Sequence, residues 1–166
     1  MTLLKTDRLT LRAAQDDDLG PLFRMFSDPK AMRYWSNLPH KTEAETLPSL
    51  EKLKKPGPRT YFVLDHRDTV IGIGGIHTGT EIGFMLHPDH WRQGFAAEAV
   101  RAIVDHTWAT TDFPKITADV DPLNLSSLRL LTKLGFQVSG FAKDTFCVGK
   151  NWSDSVFFAL PRPDSL

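Results

Sequence analysis

The chain has 166 residues, 41% hydrophobic and 24% charged, a balance expected of one globular domain spanning residues 1–166. Twenty Lys plus Arg offset twenty Asp plus Glu, so the formal net charge is zero. That excludes a general nucleic-acid binder, which needs excess cation to displace phosphate counterions. One cysteine, Cys147, excludes an intrachain disulfide and a multi-cysteine zinc site. No apolar run reaches the ~18 residues of a membrane span, and Met1 to Arg8 lacks a signal peptide's apolar stretch. A cytoplasmic protein, without membrane contact, is expected.

In chain order, Leu9 to Ala13 alternates apolar and polar residues and predicts a half-buried strand. Asp16 or Asp17 is the expected cap of a helix carrying Leu19, Leu22, Phe23 and Phe26, ended by Ser27-Asp28-Pro29. Arg33 to Asn37 is an aromatic connection. Thr42 and Glu45 form the capping-box pattern of a second helix, running toward Lys54 and stopped by Pro56-Gly57-Pro58. Tyr61–Leu64, Val70–His77 and Glu81–Leu86 read as an antiparallel meander. The period then changes: from Gly94 to Ala109, Ala96, Ala97, Val100, Ile103, Val104 and Trp108 share one side of an amphipathic helix. Lys115–Val120 is a strand. Asn124–Leu134 is a helix with Leu128, Leu131 and Leu134 inward and Gly135 as its C-terminal cap. Phe136–Ala142 and Ser155–Leu160 are two further strands, closed by Pro161 and Pro163. The sum is a mixed α/β (α+β) fold.

One junction carries chemistry. Glu81 to Ala99 runs from strand to short loop to a helix whose first turn is Gly94-Phe95-Ala96-Ala97. The unpaired N–H groups of a helix start attract an anion, small residues let it approach, and Arg92 adds a cation. A glycine-started helix packing alanine on a sheet would give the same string, so both readings stand at this point. Gly72-Ile-Gly-Gly75 is not followed by a helix, and its glycines read as relief of crowding inside a strand. Asp121-Pro-Leu-Asn124-Leu-Ser-Ser127 is a second constellation, in which Asn124 is also a plain helix cap.

Three stretches together resemble the GNAT superfamily of acyl-CoA-dependent N-acyltransferases, in particular the ribosomal-protein N-terminal alanine acetyltransferases. They are Thr6-Asp-Arg-Leu-Thr-Leu-Arg12, the segment Ile82 to Ala99, and Asp121 to Phe136. The resemblance implies a mostly antiparallel sheet of about seven strands, splayed near its centre, with helices on both faces. It implies acetyl-CoA as acyl donor, held by Phe84, Met85 and Leu86 on the splayed strand and by the loop Arg92, Gln93, Gly94, Phe95, Ala96 and Ala97. The family loop, Gln/Arg-x-x-Gly-x-Gly/Ala, falls on Trp91 to Ala96, with Trp91 replacing the Gln or Arg. Asn124 matches the residue holding the pantetheine arm and Ser127 the one near the thioester sulfur. Relatives carry a tyrosine where Leu131 stands, so Ser127 is the candidate acid.

Amine attack needs a base and a donor for the developing oxyanion. Met85 N–H is the candidate donor. Glu81, on the same strand face as Gly83 and Met85, is the first candidate base, with Asp119 in reserve and His77 behind it. Tyr34, Trp35, Asn37, Phe146 and Trp152 are candidates for the acceptor site. His87-x-x-His90 shows no nearby third ligand, so no metal is expected. Cys147, in an apolar stretch, reads as filler rather than nucleophile, which leaves direct attack in a ternary complex. The expected partners are acetyl-CoA and a primary amine, either a peptide or protein α-amino group or a small molecule, with the chain a monomer or homodimer. A non-catalytic acyl-CoA-binding regulator is the alternative from outside the enzymes.

Overall fold

Two short antiparallel strands, β1 (Leu4–Lys5) and β2 (Thr10–Arg12), open the chain, with Leu11 buried between its polar neighbours. The structure, a computed structural model, describes residues 3–55 and 61–164. A 3-10 turn at Asp16–Asp18 leads into α1 (Leu19–Phe26), and α2 (Glu43–Lys54) follows an irregular segment. Neither Asp16 nor Asp17 caps α1. Asp18 instead accepts the Gln15 N–H at 2.7 Å and grips the Arg12 guanidinium through both oxygens, at 2.7 and 2.9 Å. Pairing is what makes its burial tolerable. The expected capping box is displaced as well. Thr42 occupies the cap position without a side-chain cap bond, and Glu45 Oε2 reaches back to the Lys41 N–H at 2.6 Å. The expected stop at Pro56-Gly57-Pro58 lies outside the described residues.

The meander is β3 (Tyr61–His66), β4 (Thr69–Thr78) and β5 (Glu81–Leu86). Then come α3 (Phe95–Thr110), β6 (Lys115–Val120), α4 (Leu125–Lys133), β7 (Gln137–Val148) and β8 (Asn151–Pro161). They form one eight-stranded sheet in the order β1-β2-β3-β4-β5-β6-β8-β7. All neighbours are antiparallel except β5 and β6. The strand beyond the expected seven is β1, whose two residues are too few to show a period. The last two strands are also longer than expected, at twelve and eleven residues, because they continue into a hairpin that stands clear of the core.

Alternation sorts the sheet's side chains between two cores. On one face α3 lays down Phe95, Ala99, Val100, Ile103 and Trp108, joined by Leu131 of α4. On the other, α1 and α2 pack Leu22, Met25, Phe26, Leu50 and Leu53 over Val63, Ile73 and Met85. Within α3, Ala99 and Thr107 take inner places, while the expected Ala97 and Val104 are only half-buried, as are Leu128 and Leu134 of α4. The strand glycines meet a crowding requirement: a Cβ on Gly72 would lie 2.4 Å from the Met85 carbonyl oxygen. Gly72→Ala is therefore expected to cost about 1–3 kcal/mol, read as a Tm lower by several degrees in a thermal melt.

One seam positions the site. β5 and β6 share a single pair, Glu81 with Thr117, flanked by a bond from Thr117 N–H to the Thr80 carbonyl at 2.9 Å. Beyond it the strands diverge, so the β6-facing edge of β5 past Ile82 has no ladder.

Candidate active site

At the open end of the seam, the β5–α3 loop begins with a 3-10 turn at Pro88–His90. Trp91 Nε1 then donates to the Leu86 carbonyl at 3.0 Å, tying the loop to the end of β5. Trp91 thus holds the loop's shape. Arg92 (φ +60°) and Gly94 (φ +82°) both take left-handed backbone, turning the chain sharply into α3. The first helical bond runs from Glu98 N–H to the Gly94 carbonyl at 3.1 Å, so the N–H groups of Phe95, Ala96 and Ala97 precede it. Aligned with the helix dipole, they are suited to an anion, and the half-buried Ala96 and Ala97 leave it room. Arg92 and Gln93 are exposed beside them.

Phe84 and Leu86 turn their backbone N–H and C=O groups to the unladdered edge that leads inward from this loop, whereas Met85, the expected oxyanion donor, faces Ile73 of β4 because successive residues of a strand bond to opposite sides. Across the opening, Asn124 caps α4 by accepting the Ser127 N–H at 3.3 Å, which brings the two expected residues together at one helix start. Tyr34 of the α1–α2 segment donates to the Leu123 carbonyl at 3.1 Å, spanning the gap to the β6–α4 loop. Asn37 is exposed, whereas Trp35 packs into the α1–α2 core. Phe146 and Trp152 project from the β7–β8 hairpin, 42% and 61% exposed, and are not walls of an enclosed pocket. Cys147 is not buried filler: both faces of the hairpin meet solvent, and the thiol is exposed, 3.6 Å from the Gly149 carbonyl.

The polar side chains gather on the α1–α2 face. Met85 packs into that core, which places Glu81 and Gly83 on the same side by alternation. Ile116, Ala118 and Val120 turn the other way, so Thr117 and Asp119 face with Glu81. A bulge completes the group. Ile76 pairs with Ile82 and Thr78 with Glu81, which leaves His77 as the extra residue. Its Nε2 lies 2.7 Å from Glu81 Oε1 and its Nδ1 3.0 Å from Thr78 Oγ1. Tyr61 occupies space that only glycine at 83 leaves open, since a Cβ there would meet its hydroxyl at 2.8 Å. Burial, then the Glu81 charge, pushes the Tyr61 phenol well above its ordinary value. Sequence reading missed Tyr61, because its proximity to Gly83 arises only across two strand pairings.

Asp119 is the most unusual carboxylate. Its Oδ1 is buried with no hydrogen-bond partner among the described residues. Burial raises its pKa, the Ser155 hydroxyl pulls it back, and the Glu81 charge raises it again. Ser155 is itself buried, its Oγ 2.6 Å from Thr145 Oγ1. The folded-state pKa of Asp119 therefore lies above the unfolded value, and the folded protein bears the cost of the charge at neutral pH. Asp119→Asn is expected to raise Tm at pH 7, with the gain vanishing as pH falls below the ordinary carboxylate range. Tm measured against pH for both proteins checks this.

A helix start suited to an anion and a cluster of ionisable side chains, set along a split sheet, are the parts that a group-transfer enzyme with a phosphate-bearing donor would need. Residues 8–137 match the acetyltransferase (GNAT) domain family, and the chain belongs to that family. It is 31% identical to the uncharacterized N-acetyltransferase p20 of Bacillus licheniformis, over 87% of each chain. It is 28% identical to the [ribosomal protein uS5]-alanine N-acetyltransferase of Escherichia coli (strain K12), over 97% of this chain and 91% of that one. Spermidine N-acetyltransferase from Vibrio cholerae, solved with CoA and spermine, shares the fold at a TM-score of 0.81 and 21% identity, over 95% of this chain and 97% of that one. The chain is an acetyl-CoA-dependent N-acetyltransferase.

Proposed function

We propose that the protein acetylates the α-amino group of a peptide or protein by direct attack in a ternary complex. The observation that carries this is the seam that opens past Glu81 and Thr117, with an anion-binding loop at one end and carboxylates at the other. The uS5-alanine acetyltransferase relative, matched along nearly its whole length, supports a peptide acceptor. Bound acetyl-CoA supplies a thioester activated for attack. In this reading Arg92 to Ala97 hold its phosphates, mainly through backbone N–H groups, and the Asn124 amide holds the pantetheine arm. Met85 turns its N–H to Ile73 of β4, so in this reading the Phe84 N–H, on the open edge, meets charge developing on the acyl oxygen. Glu81, oriented by His77, takes the amine proton, and the Ser127 hydroxyl supplies one to the leaving sulfur. Tyr34 and Asn37, with Phe146 and Trp152 further out, border the acceptor's approach, and the reaction is placed in the cytoplasm.

A small polycationic amine is the second reading, favoured by the position of Glu81 and Asp119 on one face. The test begins with a thermal melt, in which acetyl-CoA at about 100 times its Kd should add roughly 2.7 kcal/mol, or several degrees in Tm. Thiol release is then followed with a peptide bearing a free α-amino group, the same peptide N-blocked, and a polyamine. Turnover confined to the free peptide supports the proposal. Turnover confined to the polyamine replaces it with the second reading, and a Tm shift without any thiol release points to a regulator.

A further inference from the structure

The segment Thr6 to Arg8 has no part in the chemistry above, yet it is fastened to the start of α3 across 85 to 92 residues of chain. Arg8 Nε donates to Glu98 Oε2 at 2.7 Å, and the Arg8 backbone N–H donates to Oε1 at 2.8 Å. Thr6 Oγ1 donates to the same Oε1 at 2.5 Å. On its other side, Arg8 Nη1 donates to the Gln93 carbonyl at 2.8 Å, and the guanidinium lies 4.3 Å above the Phe95 ring. A Cβ on Gly94 would sit 3.2 Å from Arg8 Nη2. One side chain thus touches three consecutive residues of the anion loop and the carboxylate that follows them.

Two physical consequences follow. In a trans peptide the carbonyl and the next N–H point in opposite directions. Holding the Gln93 carbonyl on Arg8 therefore aims the Gly94 N–H away from Arg8 and fixes the loop between left-handed Arg92 and Gly94. The second consequence is electrostatic. Glu98 is an acid in the first turn of α3, close to where a phosphate would sit, and its charge would repel one. Burial raises the Glu98 pKa, but the hydrogen bonds from Thr6 and Arg8 outweigh it and keep the group below its ordinary value. Glu98 stays ionised at neutral pH, and Arg8 cancels its charge.

We infer that Arg8 is a positioning residue for the cofactor's pyrophosphate, shaping the Arg92–Gly94 backbone and screening the phosphates from Glu98. The inference rests on the reading of this loop as the pyrophosphate site. The test is titration calorimetry of wild type, Arg8→Met, Glu98→Gln, the double variant and Gly94→Leu with CoA at pH 7.

Arg8→Met is expected to raise the CoA Kd by about tenfold or more at pH 7, the scale of a lost charge-assisted contact. Adding Glu98→Gln should recover part of that loss, whereas Glu98→Gln alone should leave the wild-type Kd little changed. A purely structural brace would lose affinity without this rescue, and that result overturns the inference, as does an unchanged Kd in Arg8→Met. If Gly94→Leu weakens CoA binding and Arg8→Met does not, only the inference falls. If Gly94→Leu binds CoA like wild type, the loop reading itself falls. Arg8→Lys, which keeps the charge with fewer aligned donors, should lie between wild type and Arg8→Met, and it carries the test if the methionine variant does not fold.

Discussion

Replacing Gly94 with leucine is expected to weaken CoA binding about 100-fold, equivalent to ~2.7 kcal/mol, while leaving the protein folded. Three effects act together. Leucine resists the left-handed backbone that Gly94 adopts at φ +82°, at a cost of roughly 1–2 kcal/mol. Its Cβ would press on Arg8 Nη2, 3.2 Å away, and loosen the guanidinium from the Gln93 carbonyl. Its branched end would also crowd the space through which an anion reaches the first N–H groups of α3. Gly94 is exposed at the helix start, so little core packing is lost and Tm should fall by only a few degrees. Calorimetry with CoA, paired with a thermal melt, reads both quantities. An unchanged Kd would place the cofactor's phosphates elsewhere.

The second large effect is expected for Glu81→Gln. Glutamine keeps the size of the side chain and an oxygen that can accept from His77 Nε2, 2.7 Å away in the parent, but it takes up no proton. The kcat at neutral pH should fall about 100- to 1,000-fold, within the range for losing a general base, and the KM for acetyl-CoA should hold. The deficit should narrow as pH rises, because the amine then sheds its proton to solvent. A pH–rate profile of both proteins decides the matter. A deficit constant with pH would assign Glu81 a binding role, and no deficit would move the search to Asp119.

Much of this architecture is legible in the chain because particular segments have strong periods. The alternation of Tyr61 to Leu86 reports three strands, and the spacing from Phe95 to Trp108 reports a helix buried on one side. The anion loop is legible from glycine and alanine at a strand-to-helix junction. The β7–β8 hairpin is not, since residues such as Lys143, Asp144, Asn151 and Trp152 are exposed on a ribbon with no buried face to impose a contrast. Asp16 and Asp17 have the right chemistry for a cap, but Arg12 draws Asp18 into that place through an ion pair no local pattern reveals. The grouping of Tyr61, His77 and Glu81 depends on a bulge, which moves one residue to the opposite face without altering composition. Arg8 stands in the Thr6–Arg12 stretch with no role that spacing could assign, and only the folded chain places it beside Gln93 and Glu98.

The single rung between β5 and β6 makes the sheet two plates joined at a hinge line. Glu81, His77 and Tyr61 ride on the plate ending at β5, whereas Asp119 and Ser155 ride on the plate formed by β6, β8 and β7. Packing of α3 and α4 braces the plates from one face, so the separation between Glu81 and Asp119 on the other follows the dihedral between them. The spacing of the two carboxylates is therefore set by how the two halves of the sheet are held together, rather than by any one strand.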